Sequence, residues 1–201
     1  MICFVTILVV LITAIMAPIS YAEETNLAKN PSFEEGTGNT PDFWSTWAYV
    51  TKSGVTEFKV EEGDAHSGGK FVTIINSEEN DARYRQTVNV KENSAYRLSC
   101  WIKAEDAGRQ KTGAIISLEG RVESSRDIKD TDGKWEYAEM YVKTGKGINS
   151  FTVTIGLGGY GNMNTGKASF DDVAVEEVNE IPQGATAAYL EQPSQDDKKG
   201  P

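Results

Sequence analysis

The residues most able to do chemistry in this chain are one histidine, two cysteines, a glycine-rich stretch and an excess of acids. His66 is the only histidine and sits at a Ser67-Gly68-Gly69 turn, with no second imidazole for a metal site or proton relay. Cys3 lies in an apolar leader. Cys100 falls in an alternating run with Leu98 and Ile102 on its own face, the pattern of an inert core thiol. Gly156-x-Gly158-x-x-Gly161 spells a dinucleotide pattern. Asn162 to Gly166 and a strand follow it, where a phosphate-binding loop would open a helix. Gly161 to Lys167 approaches a P-loop, but Ala168 stands where Ser or Thr must bind magnesium. Acids are abundant, yet no acid motif marks a hydrolytic pair. Nucleophilic, phosphate-binding and redox chemistry are thus all poorly supported. What remains is a set of aromatics and acids whose use depends on where strands place them.

Those strands are legible. Val55 to Val60, Phe71 to Ile75, Tyr84 to Val90, Tyr96 to Lys103, Ala114 to Glu119, Trp135 to Val142, Phe151 to Leu157 and Phe170 to Val178 are short apolar or alternating runs separated by turn residues. Tyr96, Leu98, Cys100 and Ile102 point one way; Arg97, Ser99, Trp101 and Lys103 point the other. Strict alternation also puts Gln86 on the face of Val88 and Val90. No segment after the leader holds a helical apolar stripe. The pattern predicts an all-β antiparallel sandwich in which Trp44, Tyr96 and Trp135 serve the core.

The first 22 of the 201 residues carry no charged side chain. Met1 to Ile19 is almost wholly apolar, and Ser20-Tyr21-Ala22 forms a small-residue cleavage site. The expectation is a signal peptide over 1–22, the competing reading an uncleaved anchor. A module over 23–179 follows, then a proline- and charge-rich tail over 180–201 without period, expected to be disordered or a linker. After cleavage Cys100 would be the only cysteine, so an intramolecular disulfide is excluded. A net charge of −10 argues against nucleic acid or an anionic membrane as partner.

Several short motifs then fall into order. Asn30-Pro31-Ser32-Phe33-Glu34-Glu35-Gly36 is followed by Trp44, by Ala65-His66-Ser67-Gly68-Gly69-Lys70 and by Gln86-Thr87-Val88. Tyr96-Arg97-Leu98-Ser99 with Trp101-Ile102-Lys103-Ala104 comes next, and Phe170-Asp171-Asp172-Val173 closes the series. Together they resemble the family 4/9-type carbohydrate-binding modules, which are galactose-binding-like jelly rolls, over Asn26 to Val178. The resemblance implies noncatalytic binding of a polysaccharide or oligosaccharide by a secreted or cell-envelope protein, with a glycoside hydrolase or an envelope component as possible associate. Two other readings stay open: a structural or adhesive sandwich without a sugar site, and a small glycoside-active hydrolase.

A sugar presents apolar ring faces edged by hydroxyls, so its site needs aromatic platforms and a few placed polar groups. Candidates on strand faces and loops are Trp47, Tyr84, Trp101 and Tyr160. The resemblance adds Gln86 as a cleft hydrogen-bonding residue, which alternation permits only with a bulge near it, and Glu119 and Arg121 at a strand end. It also implies a structural calcium where the opening motif, the Ser-Gly turn and the closing strand meet. The ligands by position are Ser32 and Gly69 through carbonyls, with Glu34 and Asp171. Calcium takes about six to eight oxygens of this kind.

Overall fold

A computed structural model describes residues 25–108 and 111–191. The expected leader and the end of the tail lie outside the described residues. Among the described residues the chain forms ten strands and no helix. They are β1 (Ser45–Ala48), β2 (Thr56–Glu62), β3 (Lys70–Asn80), β4 (Ala82–Asn89), β5 (Ala95–Glu105), β6 (Ala114–Leu118), β7 (Glu136–Thr144), β8 (Ser150–Leu157), β9 (Asn164–Val178) and β10 (Ala187–Leu190). Two sheets result, one ordered β1-β4-β8-β6 and the other β10-β7-β5-β9-β3-β2. Their inner faces make the core: Tyr96, Leu98, Cys100 and Ile102 from β5 meet Phe151, Val153, Ile155 and Leu157 from β8 in one buried cluster. Each such side chain contributes about 1.5–3 kcal/mol by leaving water, and strict alternation leaves the outer faces polar. This is the expected β-sandwich.

Three details depart from the sequence reading. The segment 180–190 is built into the domain: β10 pairs in parallel with β7, and Ala188 is fully buried. That corrects the expected disordered tail over 180–190 and makes one edge of the sandwich parallel. β9 begins at Asn164, inside the stretch expected to be loop. Trp135 is only half-buried and packs on the outer face, its indole N–H donating to the Asp64 carbonyl.

A further irregularity lies within β9. Ser99 pairs with Ala174 and Trp101 with Asp171, so Asp172 and Val173 together oppose Cys100 alone. This is a β-bulge. Asp172 adopts φ 47°, a left-handed conformation that Asp tolerates better than most residues. Phe170 and Val173 both enter the core, and the two consecutive acids between them are released from alternation.

Candidate functional site

The outer face of the four-stranded sheet carries a pocket of about 280 Å³. Trp47 of β1 and Tyr160 of the β8–β9 loop line it, with relative exposures of 37% and 89%. Its floor is polar and fixed. Arg83 donates Nε–H to Asp81 Oδ1 at 2.8 Å and Nη2–H to Asp81 Oδ2 at 3.2 Å. Its Nη1 reaches Ser117 Oγ at 2.7 Å and Thr154 Oγ1 at 3.1 Å, and Nη2 reaches the Gly158 carbonyl at 3.4 Å. One guanidinium thus ties together β4, β6, β8 and the start of the loop that holds Tyr160. Gly156 lies directly across from Arg83, and a Cβ there would sit 2.7 Å from Arg83 Cγ and 2.8 Å from the Ala82 carbonyl. Glycine makes room for the arginine stem. On the rim, Arg85 Nη1 donates to Glu119 Oε1 at 2.6 Å, and Arg121 pairs with Glu123. Backbone hydrogen bonds, followed by the Arg121 contact, hold the Glu123 carboxyl below its usual range.

Of the residues expected to line a sugar site, Trp47, Glu119, Arg121 and Tyr160 come together in this pocket. Arg83, Arg85 and Asp81 were missed. The alternation of Asp81, Arg83 and Arg85 with Ala82 and Tyr84 already put both arginines on one outward face, and that was the available signal.

Three expected residues are elsewhere. Tyr84 is fully buried on the core side of β4, and its hydroxyl donates toward the carbonyls of Asn39 and Lys59, each at 3.1 Å. Burial pushes that hydroxyl's pKa well up. Gln86 needs no bulge, because β4 pairs with β8 in unbroken register from Ala82 to Asn89. Alternation wins and Gln86 turns inward. Its Oε1 accepts from Lys29 N–H at 2.7 Å and its Nε2 donates to Lys29 O at 2.8 Å, so the amide acts as a strand partner for the entering chain. Trp101 faces outward as alternation requires, but on the six-stranded sheet, with the core between it and the pocket. The His66 ring covers it, stacked at 3.9 Å and 15°.

Beside Trp101 the opening motif, the Ser67-Gly68-Gly69 turn and the bulge of β9 meet. Their contacts differ from the expected set. Ser32 Oγ donates to Asp172 Oδ1 at 2.5 Å, as does Ser67 Oγ, and His66 Nδ1 lies 2.5 Å from Asp172 Oδ2. Glu34 Oε1 accepts from the backbone N–H groups of Gly69 at 2.7 Å and Lys70 at 2.9 Å. Asp171 Oδ2 accepts from His66 N–H at 2.8 Å and Ser67 N–H at 3.1 Å, and Oδ1 from Asp172 N–H at 2.8 Å. Burial, with the neighbouring Asp172 charge adding to it, pushes the Asp171 pKa up to about 6 against these amides. Burial acts the same way on Asp172, but the Ser32, Ser67 and His66 contacts outweigh it and hold that carboxyl below its usual range. The oxygen-rich donor set is of the type a hard cation takes. Among the described residues, however, no three His, Cys, Asp or Glu side chains are grouped to hold a metal, so backbone carbonyls would have to complete it.

Comparison with known proteins agrees with this architecture. No curated protein sequence matches the chain. A cyclase from Fischerella sp. TAU, solved in complex with 4-(1H-indol-3-yl)butan-2-one, superposes with a TM-score of 0.62 at 15% identity, covering 80% of this chain and all of that one. TmCBM61 in complex with β-1,4-galactotriose gives 0.54 at 20% identity, covering 77% and 99%. The CBM22-1 xylan-binding domain of Paenibacillus barcinonensis Xyn10C gives 0.52 at 16% identity, covering 81% and 100%. At these identities the neighbours establish the fold alone. The family model for a carbohydrate binding domain, of the CBM 4/9 type, matches residues 25–165, well over half of the sequence. The chain belongs to that family of carbohydrate binding domains.

Proposed function

We propose that this chain binds carbohydrate, without catalysis, in the pocket on the outer face of its four-stranded sheet. The observation that carries the reading is the pairing of two exposed aromatic walls, Trp47 and Tyr160, with a floor locked by Arg83. Rings stack on such walls, while Arg83 holds the strands beneath them in place and the rim groups Arg85, Glu119 and Arg121 select hydroxyl positions. TmCBM61 with its galactotriose and the xylan-binding CBM22-1 domain support a polysaccharide or oligosaccharide as the ligand class. Contacts this few suit about μM to mM affinity, roughly −8 to −4 kcal/mol. Among the described residues no helix is long and apolar enough to cross a membrane. The leader-like first 22 residues support a secreted or cell-envelope protein that brings a glycoside hydrolase or an envelope component to glycans.

Affinity electrophoresis against a panel of plant and microbial polysaccharides tests the reading, with reducing-end release assayed alongside. Retardation by at least one glycan, weakened tenfold or more in Trp47→Ala and without release of sugar, is expected. Release of reducing ends, abolished by one carboxylate change, would identify an enzyme. No retardation by any glycan would leave a structural or adhesive sandwich.

We also propose that calcium reinforces the contact between the opening motif, the Ser67-Gly68-Gly69 turn and β9. The raised pKa of buried Asp171 and the gathering of Ser32, Glu34 and Gly69 around the same turn support this. Melting in calcium and in EDTA decides it. A lower melting temperature in EDTA with glycan binding intact is expected; no change in melting means that the backbone amides suffice alone.

A further inference from the structure

The charged groups of the pocket are not equally occupied. Arg83 donates five hydrogen bonds to the protein, two of them to Asp81, and has no N–H left for a ligand. The Arg83–Asp81 pair is therefore closed, electrically and geometrically. Arg85 differs. Among the described residues the hydrogen bonding of its guanidinium is a single contact from Nη1 to Glu119, whose side chain keeps 49% of its exposure. Arg121 holds Glu123 through Nε and Nη2, which leaves its Nη1 free of the described hydrogen bonds. Both arginines line the same pocket as Trp47 and Tyr160.

The pocket lining carries three guanidiniums, from Arg83, Arg85 and Arg121, and two carboxylates, from Asp81 and Glu119, and the Glu123 carboxylate paired with Arg121 balances the third. In a chain of net charge −10 this is a locally neutral patch in which guanidinium N–H groups of Arg85 and Arg121 remain unused. A neutral sugar needs donors and acceptors in mixture. Two guanidinium edges with unused N–H groups instead match a planar carboxylate, which they can clamp bidentately. Glu119 now occupies part of Arg85, as a ligand carboxylate would. The exposed Arg85–Glu119 contact is weak enough for a ligand to displace.

We infer that the pocket selects glycans bearing uronic acids, with Arg85 and Arg121 receiving the hexuronate carboxylate while Trp47 or Tyr160 stacks on a sugar ring. This rests on the carbohydrate-binding reading above and names the ligand class of that site. Distant negative charge on the protein does not oppose it strongly, because charges beyond about 8 Å are screened at physiological salt.

The test holds the sugar constant and changes only the charge. Oligomers of α-1,4-galacturonate and β-1,4-mannuronate are titrated by calorimetry beside their methyl esters, with β-1,4-galacto- and xylo-oligosaccharides as neutral ligands. At least one uronate series should bind tenfold or more tightly than its own ester. Arg85→Gln should remove that ratio, Glu119→Gln should raise it, and Arg126→Gln, an arginine outside the pocket, should leave it unchanged. Thermal melts confirm that each variant is folded. If neutral oligosaccharides bind while no uronate exceeds its ester, or if Arg85→Gln keeps the ratio, the uronate inference is overturned and the carbohydrate reading survives. If no acidic, esterified or neutral oligosaccharide binds, both fall.

Discussion

Arg83 and Tyr84 are neighbours in sequence and opposite in consequence. Arg83 sits on the outer face in a largely buried pair with Asp81, their side chains retaining 14% and 9% exposure. Removing one partner of such a pair leaves an uncompensated charge, at a cost of about 3–5 kcal/mol. Arg83→Met should lower stability by about that amount in urea unfolding. Adding Asp81→Asn should recover part of the loss, because the double variant buries no lone charge. Strictly additive losses would show that the pair is not coupled. Tyr84→Phe removes only a hydroxyl from two backbone carbonyls and should cost about 1–2 kcal/mol. Glycan affinity should not change, since the ring lies in the core. Alternation made the directions of both side chains legible in the sequence; the family likeness of Gln86 pulled the reading away from it. Cys100 was read correctly from the same alternation, and burial alone pushes its pKa far up. It should resist thiol reagents until the domain unfolds.

At the level of elements, the edges and irregularities were the hardest to see. β10 is four residues long, rich in alanine, and follows Pro182 and Gly184, so its composition matches a tail. Its strand character comes from the partner. Tyr141 N–H bonds the Thr186 carbonyl at 2.8 Å and Gly145 N–H bonds the Leu190 carbonyl at 2.6 Å, closing the exposed edge of β7. The approach is so close at Gly145 that an added Cβ would lie 2.8 Å from the Leu190 oxygen. Gly145→Val should therefore undock β10, at about 1–3 kcal/mol in stability. Limited proteolysis should then cut between 179 and 190 in the variant well before the parent. Equal protection in both would mean that β10 adapts to the added side chain. The β9 bulge was hidden for a related reason. Nothing in Phe170-Asp171-Asp172-Val173 announces that two residues will oppose one, because the register is set by β5.

On the scale of the whole molecule, the sequence disclosed that the opening motif and the Asp171-Asp172 strand meet but not which face each aromatic would join. The meeting is a local-motif property of the opening segment and β9. Asn26 completes it, with Nδ2 donating to the Val173 carbonyl 147 residues away and Oδ1 accepting from Val175 N–H. Face assignment instead depends on sheet order. β5 carries Trp101 into the six-stranded sheet, while β1 and the β8–β9 loop take Trp47 and Tyr160 to the other side. The His66–Trp101 stack and the Asp172 bulge thus lie on the six-stranded sheet and the pocket on the four-stranded one. Glu34 tests that separation. Its carboxylate accepts two backbone N–H bonds that shape the turn under His66, and through His66 the cover of Trp101. Glu34→Ala forfeits these charge-assisted bonds at an exposed position, worth about 1–2 kcal/mol together. The melting temperature should fall while affinity for the best-bound glycan stays within twofold. A loss of affinity in step with stability would mean that the two faces are coupled through the core, and that the sugar site depends on the closed ends for its shape.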